Sequence, residues 1–337
     1  MSIFNVLTPD RLKATVLLGV DVTLDNGQPY PDILFDASLR QAVKWMEHEL
    51  GIAIDSFFVE DEEHDGNEKL REAWWPFDLD RRPVWALQEA RIQYGNYPMV
   101  KLPVDWLQMP NNIHGKVQLV PTTTKLGAYF YRMGIPLLTG DAFQPQSFVP
   151  AYFRFSYLAG FPYFEGQAVI PEGETEVKVD FELPSSPNEE YPDPTGPACY
   201  SADYTPNAEL VEDSEFGVTT IGYASRRRGG FTILADQAPS GGDALVNWYV
   251  LTVPDDMLHA IMLKAAMLPL DVAGDLILGA GVASFATGQD GIHYSMNSTA
   301  SATNSGYGAR VLQFERELKA LMPALRGRYR KPGVFFI

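Results

Sequence analysis

Residues 176–183 read Glu-Val-Lys-Val-Asp-Phe-Glu-Leu, and an alternation this strict has one local solution. Side chains alternate across a strand with a period of two. Val177, Val179, Phe181 and Leu183 therefore share a buried face, while Glu176, Lys178, Asp180 and Glu182 meet water. A Pro-rich connection (Pro192, Pro194, Pro197) follows, and further strands are expected around Val218–Tyr223, Phe231–Leu234 and Leu245–Leu251. Several short strands separated by turn residues predict an inserted β-sandwich module over 165–250. Lys116–Val120 and Phe153–Tyr157 alternate in the same way, which makes 92–164 a β-rich segment. Within it, 122–150 is a long loop, a length that usually marks an arm or a binding element.

A different period governs the two ends. Thr8-Pro9-Asp10 starts a helix with Pro at its first position. A second helix runs from Asp32 or Asp36 to Leu50, with Leu39, Val43, Met46 and Leu50 on one stripe and Gly51 placed to close it. Near the other end, Pro254-Asp255-Asp256 opens a helix whose apolar face is Leu258, Ile261, Met262, Ala265 and Leu268. The last helix spans about Gly308 to Leu325, with Val311, Phe314, Leu318, Leu321 and Leu325 in register. The expected fold class is α+β. Residues 1–91 and 254–330 form a helical domain from both ends of the chain, and the β-rich segments are insertions into it.

Composition narrows the function. The 337 residues carry 43 Asp and Glu against 26 Lys and Arg, a net charge of −17. That balance argues against a nucleic-acid clamp, which needs clustered cations; it leaves open DNA passing nearby without sticking, but from composition alone the acidity serves solubility. The one cysteine, Cys199, allows no disulfide within the chain and reads as a small strand residue. No apolar run reaches the roughly 20 residues of a membrane helix. The first residues, MSIFNVLTPDRLKATVLLGVD, lack the basic region and cleavage site of a signal peptide, so synthesis in the cytoplasm is expected.

Catalytic signatures are weak. Asp61, Glu63, Asp65, Gly66 and Glu72 match positions of a calcium loop, but Glu68 and Lys69 stand where an apolar residue and an oxygen ligand belong. The five histidines show no zinc spacing, and no Gly-x-Ser-x-Gly elbow is present. Gly279-Ala280-Gly281 lacks the third glycine and the preceding strand of a dinucleotide loop. No catalytic residue, metal ligand or cofactor is assigned.

The remaining feature is the tract GDLILGAGVASFATGQDGIHYSMNSTASATNSGYGAR, residues 274–310. Small residues permit close backbone approach, and Leu278, Val282, Phe285, Ile292 and Tyr307 are apolar enough to dock against protein. With the following helix VLQFERELKALMPALRGRYR, the tract resembles head–tail connector (neck adaptor) proteins of tailed bacteriophages. DASLRQAVKWMEHELGI resembles the first helices of that family, and PVDWLQMPNNIHGKVQLVPT its strand region.

The resemblance implies a helical adaptor-type domain and a virion structural protein at the neck, the head–tail interface. It would be a subunit of a homo-oligomeric ring, commonly twelve-fold, that binds the portal protein and extends the DNA channel. The ring would let double-stranded DNA pass without specific contact and would dock a stopper or tail-completion protein. Leu278, Val282, Phe285, Ile292 and Tyr307 become subunit-interface residues. The tail 326–337 becomes the portal-docking segment through Arg328, Arg330, Lys331, Val334, Phe335, Phe336 and Ile337. Glu60, Asp61, Glu62, Glu63 and Asp65 become candidates for an acidic lumen. Two alternatives stand beside this reading: another neck or tail component, such as a tail-completion or decoration protein, and a carbohydrate-active or calcium-dependent enzyme built around the 61–72 loop and the β module at 165–250.

Overall fold

The structure, a computed structural model, describes residues 2–20, 22, 28–66, 76–93, 100–120, 149–181, 199–201, 204–211, 218, 221–227, 229–278, 284–289, 292–297 and 307–330. The chain divides into two compact units, one of Met1–Ser2 and Asp55–Thr252, the other of Ile3–Ile54 and Val253–Ile337.

The expected architecture, an α+β chain whose main body is a helical adaptor-type domain with β insertions, is overturned. The described residues are mostly antiparallel sheet, with few helices. The difference is plainest in 57–91, which falls within the stretch expected to be helical but holds β1 (Phe57–Gly66), β2 (Phe77–Asp78) and nearly all of β3 (Val84–Ile92). In β1 the register shifts between Val59 and Glu62 and again between His64 and Gly66, and these shifts break the period-two signal. β3 opens on the apolar run Val84-Trp85-Ala86-Leu87, buried on both faces, which offers no alternation to read over its first half.

The first unit contains two cores. One sheet runs β1-β7-β3-β10, with β7 at Val149–Ala159, β10 at Cys199–Tyr200 and the short β4 (Val100–Lys101) paired to β3. A smaller sheet, β2-β6-β5, comprises β2 with β5 (Leu107–Asn111) and β6 (Lys116–Leu119). Phe153, Phe155 and Tyr157 of β7 form the first core with Phe77, Leu87, Trp106 and Val117.

The second core fills a sandwich of two three-stranded sheets. One is β11-β14-β8, comprising β8 (Phe164–Ile170), β11 (Thr205–Leu210) and β14 (Ala244–Leu251). The other is β12-β13-β9, comprising β9 (Glu176–Asp180), β12 (Ile221–Arg227) and β13 (Gly230–Ala235). Trp85 of β3 reaches into this core, its ring 4.8 Å from Phe164 and 5.5 Å from Tyr200, centroid to centroid. β3 therefore contributes to both cores. At the end of β7, Gly160 has φ +87°, and a Cβ there would lie 2.5 Å from the Asp55 carbonyl oxygen. Only glycine fits that approach.

The second unit is helical apart from one hairpin. Thr8 caps α1 (Pro9–Ala14), its Oγ1 accepting from Arg11 N–H at 3.2 Å. In α2 (Asp32–Leu50), Phe35, Leu39, Ala42, Val43, Met46 and Leu50 form the buried stripe, and Gly51 ends the helix at φ 63°. α3 (Asp255–Leu278) is buried nearly all round over its first half and packs against both α2 and α4 (Gly308–Tyr329). Leu268, expected on its buried face, is instead 45% exposed, whereas Leu270 is buried. On α4 the stripe passes through Met322 rather than Leu321 and continues to Tyr329. The long loop expected at 122–150 lies outside the described residues except for its last two, which begin β7.

Candidate functional site

The acidic run lies in β1, the end strand of its sheet, and the sequence explains its conformation only when paired with β7. Asp61 takes φ 47° at the first register shift, and its N–H donates to Ser156 Oγ at 3.2 Å. Its Oδ1 lies 3.7 Å from Arg91 Nη1, an electrostatic pair beyond hydrogen-bond reach. Glu63 pairs with Arg154 at 2.7 Å, and Asp65 Oδ1 accepts from Ala151 N–H at 2.9 Å. Glu60 is half-buried.

Glu62 is the hub. It accepts from the Tyr157 hydroxyl and from Asp80 N–H at 2.9 Å, and His64 Nε2 lies 2.7 Å from its Oε1. Burial pushes the Glu62 carboxyl up, but the hydrogen bonds from His64, Tyr157 and Asp80 outweigh that and hold it below the usual carboxylate range. Burial, then the Glu62 charge, pushes the Tyr157 hydroxyl far above its ordinary value. Of the five candidate lumen residues, only Glu63 and Asp65 are exposed.

Over the described residues 61–66, this geometry does not suit a calcium loop. Residues 61–66 are strand rather than loop, and the carboxylates of Asp61, Glu62, Glu63 and Asp65 already face cations or donors of the same sheet. Glu72 lies outside the described residues. No group of three potential metal ligands occurs among the described residues. Cys199 is buried in β10 opposite Leu87. It borders a cavity of about 480 Å³ lined by Leu107, Gln108, Met109 and Asp105, which offers one carboxylate and no acid–base pair.

A charge ladder that sequence reasoning missed crosses the same sheet. Arg91 Nη2 donates to Glu89 Oε2 at 2.7 Å, and Lys101 Nζ lies 3.5 Å from Glu89 Oε1. The contact series Asp61–Arg91–Glu89–Lys101 alternates in sign, and the Glu63–Arg154 pair lies beside it. Glu89 and Arg91 stand two apart on β3, but Asp61, Arg154 and Lys101 come from other strands, which no local sequence signal joins.

The small-residue tract folds as a helix–hairpin–helix. β15 (Ser284–Gln289) pairs antiparallel with β16 (Ile292–Asn297), between α3 and α4. Phe285 stands opposite Met296 and Ile292 opposite Gln289, so positions 285 and 292 occupy the same face of the ladder. Of the other predicted interface residues, Leu278 is the last of α3, Tyr307 is half-buried at the N-cap of α4, and Val282 lies outside the described residues. The hairpin was legible in one place. Asp290-Gly291 separates the two strands, and that pair is the preferred content of a two-residue turn.

At the basic end, Arg328 and Arg330 are exposed, with the Arg328 guanidinium 5.3 Å from the Tyr329 ring centroid. Lys331, Val334, Phe335, Phe336 and Ile337 lie outside the described residues. Arg326 is engaged with Glu49 at 2.5 Å, which holds the Glu49 carboxyl below its ordinary value.

No protein-family model matches the chain, and no curated protein is similar to it.

Proposed function

We propose that the chain is a virion structural protein of a tailed phage. It is a head-to-tail connector subunit that assembles as a ring on the portal protein, extends the DNA channel and docks the stopper or tail. The observation that carries this reading is the hairpin β15–β16. Among the described residues its two strands pair only with each other, and they hang between two long helices. A two-stranded ladder is marginal alone in water. Its composition, rich in Gly, Ala, Ser and Thr, permits close approach of a neighbour, and two unpaired edges offer backbone groups to it. A head-to-tail contact through this hairpin would close into a ring where the rotation between neighbours closes.

Charge is consistent with the role. A chain of net charge −17 repels phosphates and would let DNA pass. The exposed Glu63 and Asp65 are the members of the acidic run best able to meet a channel. Arg328 and Arg330 lead into the apolar end Val334-Phe335-Phe336-Ile337, proposed as the segment that docks on the portal. The test is a pull-down of purified portal by the full chain and by a chain truncated after Arg330. Capture by the full chain and loss on truncation support the assignment. No capture by either overturns it.

One observation favours a second reading, a decoration or tail-completion protein. Residues 155–253 hold 16 of the 43 acidic residues and only 4 of the 26 basic ones. They also contribute most of a core of their own. Negative-stain images of purified chain alone showing discrete trimers, without portal binding, favour that reading.

A further inference from the structure

The outer face of sheet β11-β14-β8 carries side chains that neither core uses. Its registers align Asn207 with Tyr249 and Tyr249 with Glu165, then Glu209 with Asn247 and Asn247 with Gln167. Paired positions in an antiparallel ladder share a face, and the buried Phe164, Ile170, Val246 and Val250 take the opposite one. Tyr163, just before β8, extends the outer row. Its ring centroid is 6.3 Å from that of Tyr249, with the planes 36° apart. Burial, then the neighbouring Glu165 charge, pushes its hydroxyl up to about 12. Gln167 Nε2 donates to Asn247 Oδ1 at 3.0 Å, which fixes both amides and leaves the Gln167 carbonyl and the Asn247 Nδ2–H groups to meet a ligand.

We propose that this face binds a neutral glycan. Tyrosine planes pack against the C–H faces of sugar rings, while fixed amides and carboxylates bond pairs of hydroxyls, so the face offers both halves of what a glycan requires. Two strand spacings give it a width of roughly 10 Å, enough for a short oligosaccharide lying flat. Charge selects against anionic ligands. The residues named here include Glu165 and Glu209 and no cation, within a stretch of 16 acidic and 4 basic residues over 155–253. A cationic peptide fits less well, because the two glutamates stand on opposite outer strands, β8 and β11, rather than side by side. The sheet is not an apolar groove either, since Glu165, Gln167, Glu209 and Asn247 are all exposed.

The test is calorimetric titration of the full chain with cellohexaose, maltohexaose and chitohexaose, with a sulfated hexasaccharide and an oligolysine peptide as further arms. The expected result is saturable binding of at least one neutral hexasaccharide, weakened about tenfold or more by Tyr249→Ala and by the exposed-site Asn247→Ala. Tyr223→Ala, on the other sandwich sheet, leaves binding unchanged. Melting temperatures separate loss of the site from loss of the fold, and Asn247→Ala serves if Tyr249→Ala unfolds. Three results overturn the proposal: no neutral probe binds, binding is indifferent to both face variants, or only the sulfated sugar or the peptide binds.

Discussion

At the scale of single residues, the charged run Glu60–Asp65 was visible in the sequence, but its purpose was not. Its partners Tyr157, Ser156 and Arg154 lie about 90 positions away along the chain, where no local pattern can point to them. Glu62 ties β1 to β7 and to the segment at Asp80, so removing it strands the Tyr157 hydroxyl in the first core. Glu62→Ala is expected to cost about 3 kcal/mol in denaturant unfolding. The sign of the pH dependence follows from the lowered pKa of the folded carboxyl. Its contribution is fully present above the unfolded value of roughly 4.3 and is lost as pH falls through the folded value. Glu62→Gln should therefore flatten stability against pH in that acid window, and an unchanged slope would show that Glu62 is not the group responsible. Trp85, the side chain that carries β3 into the sandwich core, is a simpler case. Trp85→Ala should destabilise by about 3–5 kcal/mol, read from the midpoint of chemical denaturation.

At the scale of elements, legibility followed the cleanness of the period. The alternation at 176–183 marks β9 and its buried continuation at Phe181, because one face meets water and the other the core. The stripe Leu39-Val43-Met46-Leu50 was equally plain, and Gly51 ends its helix in the left-handed region. Gly51→Ala should lower stability by about 1 kcal/mol, visible as a small fall in melting temperature. β3 was hidden by burial on both faces and β1 by its two register shifts. Both had been folded into a helical end that they do not join. The hairpin was hidden by composition, since Ala286 and Gly288 in β15 and Asn297 in β16 are residue types depleted in strands. If it is a subunit contact, Phe285→Asp combined with Ile292→Asp should abolish ring assembly on the portal and leave the melting curve of the free chain unchanged. Assembly that survives the pair would remove the hairpin from the interface.

At the scale of the whole molecule, the second unit draws on both ends of the chain and the first is continuous from Asp55 to Thr252 apart from Met1–Ser2. Matching apolar stripes at the two ends made the helices visible but overstated their weight, because strand-rich residues occupy most of the intervening chain. The candidate site divided similarly. The small-residue tract and the acidic run stood out by composition, whereas the charge ladder and the tyrosine-bearing sheet face exist only once strands are paired. Charge is unevenly shared, with 16 acidic and 4 basic residues in 155–253. Long-range steering by that charge is screened over about 8 Å at physiological salt, so portal capture through the basic tail should weaken as salt rises.

The most direct test of the connector assignment is electron cryomicroscopy of the full chain mixed with purified portal. The assignment predicts a closed ring of copies seated on the portal, with residues 284–297 at the boundary between neighbouring subunits. Chains that leave the portal bare, or that bind it singly with that hairpin facing solvent, would contradict it.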